Sequence, residues 1–128
     1  MAEATLVEPK IKAGAELLQS LDSALGDVFA AFWYRDPDTD DWRLLIGSDA
    51  VDREGSTVAN GHLVAILNSR EVGLSLFELA LVGRNHPLVL MLKGLPKTGH
   101  ITLPAPMHVY RVMVGNHYIE DAYIYRIT

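Results

Sequence analysis

The segment MHVYRVMVGNHYIEDAYIYRI, residues 107–127, gathers the side chains with the most chemistry in the chain. Two alternating apolar runs flank Gly115-Asn116, a pair suited to the two-residue turn of a β-hairpin. That turn places Val112 opposite Ile119, Arg111 opposite Glu120 and Tyr110 opposite Asp121. Alternation then puts His108, Tyr110, Asp121, Tyr123 and Tyr125 on one face, and Val109, Met113, Ala122 and Ile124 on the other with the Arg111–Glu120 pair. A histidine beside a carboxylate can exchange protons, and phenols can position and polarise a small ligand. His108 and Asp121 are therefore the candidate catalytic base and its orienting group, and Tyr110, Tyr123 and Tyr125 a candidate ligand or partner face. The same side chains suit a bland role equally well, as rings packed at the core edge or at an interface with hydroxyls reaching water. Glu120 and Asp121 fall on opposite faces and cannot act as a carboxylate pair.

Other motifs fail at a defining residue. Asp36, Asp38 and Asp40 occupy positions 1, 3 and 5 of a calcium-type loop, but Asp41 and Gly47 stand where Gly and a bidentate Glu belong. Asp36-x-Asp38 is similar to a phosphoryl-transfer aspartate motif, yet Asp40 replaces its Thr or Val. A solvated Asp-rich turn is the simpler reading. The five histidines, at 62, 86, 100, 108 and 117, include no i, i+4 or i, i+2 pair that would place two imidazoles on one ion, so no metal is expected. Gly73-Leu74-Ser75 lacks the second glycine of a nucleophile elbow, and no glycine-rich phosphate loop occurs. LPKTG at 95–99 is similar to a cell-wall sorting signal. Pro104, Pro106, Arg111, Asn116, Glu120 and Asp121 interrupt every later apolar run well short of the roughly 18 residues of a span. The start, MAEATLVEPK, has neither basic nor apolar export regions. LPKTG is expected to be a plain loop.

Composition narrows the partners. The 128 residues suffice for one domain over 1–128, and 49% hydrophobic with 21% charged residues is a globular balance. There is no cysteine, which removes disulfide and thiolate chemistry and fits a reducing cytoplasm. A net charge of −5, with 11 scattered basic residues, argues against nucleic acid and against anionic membrane surfaces. No cofactor is expected.

The elements that must position these residues can be read from periodicity. Ile11, Ala15, Leu18, Leu21 and Leu25 recur at helical spacing after Pro9, with Gly26 to close the helix. VFAAFWYR and WRLLIGS read as a hairpin across Asp36–Asp41, with Trp33 facing Leu44, Phe32 facing Leu45 and Tyr34 facing Arg43. Both of its faces are apolar, as in strands covered on two sides. A second helix is expected from about Gly55 to Asn68, with Val58, Leu63, Ile66 and Leu67 inward. A central strand is expected over 74–82, and a short third helix from Pro87 to Gly94 capped by Asn85. The fold expected is α+β and two-layered: a mostly antiparallel sheet of about five strands with about three helices, chiefly on one face, in the order αββαβαββ.

WRLLIGSDAVDREG after an aromatic strand, with YIEDAYIYR at the end, resembles a family of small bacterial proteins of unassigned function. The resemblance implies a bacterial origin and a compact mixed fold, and it carries no catalytic residues. Two functional readings follow. One is a soluble, non-catalytic cytoplasmic binding or accessory module that pairs with itself as a homodimer or with another protein, a small-molecule ligand being compatible. The other is a small enzyme working through His108 and Asp121. Because the Asp36–Asp41 turn lacks its closing Glu, isothermal titration with calcium is expected to show no micromolar site; saturable micromolar binding lost in Asp38→Asn would refute that expectation.

Overall fold

The computed structural model describes residues 8–24, 28–36, 38–39, 41–69, 74–93, 107–114 and 117–127. Helical periodicity becomes helix α1 over Glu8–Ala24, with Pro9 in its first turn, where a missing N–H costs nothing. Its buried line runs through Ala13, Leu17, Leu18 and Leu21, while Ala15 is exposed. The line is rotated from the expected one because Gly14 allows α1 to approach closely: a Cβ there would lie 3.0 Å from Trp33 Nε1 and closer still to the Tyr125 hydroxyl. Leu25 and Gly26 lie outside the described residues.

Strands β1 (Val28–Arg35) and β2 (Trp42–Ser48) pair antiparallel in the register read from the sequence, Trp33 with Leu44, Phe32 with Leu45 and Tyr34 with Arg43. The Asp36 amide donates to the Asp41 carbonyl at 2.9 Å, and the Asp36 carboxylate accepts the Asp38 amide at 2.8 Å. That local bond is why aspartate suits the turn. Alternation sends Trp33, Leu44 and Ile46 to one core and Phe32 and Leu45 to another. A register shift between Val28 and Ala30 adds Phe29 to the second core, where a Cβ on Gly47 would sit 2.6 Å from the Phe29 ring.

The second helix expected from about Gly55 to Asn68 is present, and an additional short helix precedes it. Ser48 accepts the Ala50 amide at 3.1 Å and caps α2 (Asp49–Glu54), and acidic residues in its first turn suit the helix dipole. Gly55 ends α2 at φ 89°, and α3 (Ser56–Ser69) follows. On α3, Ala59 and Leu63 are buried, Ile66 and Leu67 partly so, and Val58 is exposed, contrary to its expected inward position.

Residues 74–82 do not form a central strand. The Ser75 amide donates to Glu78 Oε1 at 2.9 Å, and Lys10 Nζ meets Glu78 Oε2 at 2.6 Å. These bonds hold Leu76–Glu78 in a 3₁₀ turn. Only Leu79–Val82 remains as strand β3, which pairs parallel with β2 at the sheet edge. A parallel join needs a long connection, and α2 and α3 supply it. Helix α4 (Pro87–Lys93) begins at His86, whose Nδ1 accepts the Leu88 amide at 3.2 Å; the cap is therefore His86 and not Asn85. Burial lowers the His86 pKa, which favours the neutral ring this bond requires.

Strands β4 (Met107–Val114) and β5 (His117–Ile127) complete a five-stranded sheet of order β3-β2-β1-β5-β4, antiparallel except for β2–β3. The chain is thus an α+β fold with an open sheet. Helices α1 to α3 pack on the Trp33 side, and Val89, Met91 and Leu92 of α4 cover the Phe32 side. Two glycine substitutions test the α1 contact. Gly61 lies in α3 with nothing within 4 Å of where a Cβ would stand, so Gly61→Ala is expected to stabilise by about 0.4–1 kcal/mol. Gly14→Ala, despite equal helix propensity, should cost about 1–3 kcal/mol through overpacking. Urea unfolding of both variants reads the difference, and a stabilising Gly14→Ala would refute the close approach.

Candidate functional site

The β4–β5 hairpin keeps the register expected of a two-residue connection, with Val112 opposite Ile119, Tyr110 opposite Asp121 and His108 opposite Tyr123. Gly115 and Asn116 lie outside the described residues, as do LPKTG and the Tyr110 side chain. On its other edge β5 pairs with β1, and there the register slips: Ala31 faces Arg126, but Phe32 faces Ile124. Tyr125 is the extra residue of this bulge, and such a residue is re-aimed relative to its neighbours. Its side chain packs against the core that holds Trp33, Leu17 and Leu21.

There Tyr125 is fully engaged. Trp33 Nε1 donates to its hydroxyl at 3.0 Å, and the hydroxyl donates to the Ile11 carbonyl in α1. Burial, opposed by the Trp33 bond and aided slightly by Tyr123, pushes the phenol pKa up to about 12. The next residue strengthens the same seam. Arg126 grips Asp22 of α1 through two bonds of 2.7 and 2.9 Å and also donates to the Val28 carbonyl at 3.0 Å. The Arg126 bond holds the Asp22 carboxyl below its ordinary pKa.

Farther along the hairpin, away from α1, the side chains open. Tyr123 meets Tyr125 edge-on, with centroids 5.3 Å apart and planes at 68°, and His108 lies 6.5 Å from Tyr123. His108 Nε2 is bonded to Asp121 Oδ1, so Nδ1 is the nitrogen not engaged by the carboxylate. The imidazole is 52% exposed although its partner is 20% exposed, which makes it an oriented but accessible group. His108, Asp121, Tyr123 and Tyr125 are therefore brought together, with Tyr125 taken up by α1. The Arg111–Glu120 pair is not formed: Glu120 lies 3.5 Å from Arg35 Nη1, and Arg111 has φ 52°.

A second cluster was not legible from spacing. Arg84, just past β3, makes a fork to Asp49 at 2.6 and 3.0 Å, stacks 4.2 Å from the Phe29 ring centroid, and donates its amide to Asp52 at 3.3 Å. This latch depends on the parallel β2–β3 pairing, which places the start of α2 beside the end of β3; only the acid pair after a β-type run hints at it in sequence. Among the described residues no group of three His, Asp or Glu side chains could hold a metal ion, and no helix is long and apolar enough to cross a membrane.

Comparison with protein-family models, with curated proteins and with solved structures gives no match for this chain. The reading of the site rests on its own geometry.

Tyr125 supplies a titration test. Its folded pKa of about 12 lies above the ordinary value of 10.0, so the native state holds its proton longer than the unfolded chain does. The resulting stability is fully present below pH about 10 and is lost as pH rises toward 12. Ultraviolet titration of the native protein should show a late-ionising tyrosine that disappears in Tyr125→Phe, and that variant should lose about 1–3 kcal/mol by stranding Trp33 N–H and the Ile11 carbonyl. A titration in which Tyr125→Phe removes no late-ionising group would refute the burial.

Proposed function

We propose that this protein is a non-catalytic binding module of the bacterial cytoplasm, engaging itself or another protein through the open part of the C-terminal hairpin. The observation that carries this reading is the contrast along one face. Tyr125 is closed off by α1, whereas His108, on the edge strand β4 and beyond the helix, is held by Asp121 and still about half exposed. A fixed, accessible array of a histidine, a carboxylate and an aromatic ring meets a partner without first losing side-chain freedom. The cysteine-free, acidic composition suits a reducing compartment.

A second reading keeps one specific support. The His108–Asp121 bond orients an imidazole as a general base is oriented, with the Tyr123 ring beside it. What favours binding is that each established contact serves to fix the surface, and no nucleophile or oxyanion donor stands among them.

Photo-crosslinking in living cells decides between them. A photo-reactive amino acid replacing His108 is expected to give a discrete protein adduct, whereas the same replacement of Val58, exposed on α3, gives none. Equal adduct patterns at the two positions would sink the binding reading. A hydrolytic turnover abolished in both His108→Gln and Asp121→Asn, with the fold retained, would move the assignment to the enzyme.

A further inference from the structure

Beyond His108 the hairpin changes character. Met113 and Tyr118 stand directly opposite one another on β4 and β5, so their side chains share a face, and they are 51% and 46% exposed. Between them and His108 lies Arg111, exposed, with its backbone in the left-handed region at φ 52°. A residue with a Cβ enters that region only at a cost, and such strain concentrates at functional positions. Glu120, level with it across the hairpin, is drawn to Arg35 instead, and no ion pair joins Arg111 to another described residue. Arginine, tyrosine and methionine are the side chains enriched at protein interfaces.

The carboxylates that answer Arg111 belong to the same end of the sheet. Tyr34 of β1 faces Ala122 of β5, which faces Val109 of β4. Strand β1 therefore runs out at Arg35 where the hairpin continues past it, and Asp36 lies about level with Arg111, two strands away. At the usual strand spacing that is about 10 Å. Asp38 and Asp41 are exposed there, while the Asp36 carboxylate is occupied by the Asp38 amide. Arg111 on the edge strand β4 is thus a cation with carboxylates about two strands away at Asp38 and Asp41, and the apolar pair Met113 and Tyr118 lies beside it.

We infer that a second copy of this chain docks on this end of the sheet about a twofold axis, Arg111 of each copy meeting the Asp38 turn of the other, with Met113 and Tyr118 buried between. A twofold axis standing between Arg111 and Asp38 exchanges them, which is the self-complementarity a closed dimer requires. The contact is through side chains. Adding β4 of one copy to β4 of another is disfavoured because the left-handed residue interrupts the ladder along that edge. The inference rests on the reading that the hairpin is a binding element, and it assigns to a second copy the hairpin surface opposite the His108 face. A patch of this size falls at the small end of specific interfaces, so the dimer is weak and sensitive to salt.

Sedimentation velocity on the full chain at increasing concentration tests it. The wild type is expected to dimerise, less so in high salt. Arg111→Asp and Asp38→Arg should each weaken the dimer at least about tenfold. The double charge-swapped chain should recover it, and an equimolar mixture of the two single variants should form a mixed dimer. Thermal melts establish that each variant stays folded, as their exposed positions lead us to expect. A monomer at every concentration, or a dimer untouched by the two single changes, overturns the inference. The binding reading is tested apart from it, since a crosslinked adduct at position 108 containing a protein other than this chain persists when self-docking fails.

Discussion

The Tyr125 hydroxyl is the joint on which the arrangement depends. It takes the Trp33 N–H and gives its own proton to the Ile11 carbonyl, so one polar atom links β5, β1 and α1. Trp33 is buried and Tyr125 partly so, and losing any one of these groups leaves the others unsatisfied. The bond also requires a particular backbone on both sides. The β5 bulge has to raise the ring from the ladder, and Gly14 has to leave room for it beneath α1. The Arg126–Asp22 fork closes the seam one residue later, partly exposed and therefore of lesser weight than the buried contact.

Where α1 stops determines what the protein can offer. The helix is tied at Ile11, Gly14 and Asp22 to the end of β5, so its cover ends near Tyr125 and Tyr123, leaving β4 beyond it. The opposite face is closed by a much shorter helix. Val89, Met91 and Leu92 of α4 meet Phe29, Phe32, Val109 and Ile124 there, and the Arg84 latch anchors the loop that leads into it. The sheet is consequently apolar on both sides without being equally protected on both, and the exposed chemistry collects at one end of the hairpin.

Sequence revealed what is local and periodic. Both hairpin registers follow from turn length alone: once the loop is two or four residues, alternation leaves one pairing, as Trp33–Leu44 and Val112–Ile119 show. The face shared by His108, Asp121 and Tyr123 follows from the same rule. What escaped were events requiring a distant partner. Glu78 turns Leu76–Glu78 away from the strand because Lys10, far earlier in the chain, holds its carboxylate. The rotation of α1 depends on Tyr125, which a helical wheel of residues 8–24 does not contain. Arg84 finds Asp49 only after β3 has joined β2 in parallel.

Arg111 brings these threads to a single physical question: why an exposed strand should bear a strained residue. An edge strand with an unbroken row of amides and carbonyls invites any extended chain to pair with it, and natural sheets blunt such edges with bulges and charges. A left-handed arginine does both at once. It interrupts the ladder of β4 and places a cation at the interruption. The cost of the conformation is set against indiscriminate strand addition. The departure from ideal pairing at Arg111 and Glu120 therefore protects the edge, because a regular Arg111–Glu120 ladder pair would neutralise the cation and restore an unbroken strand.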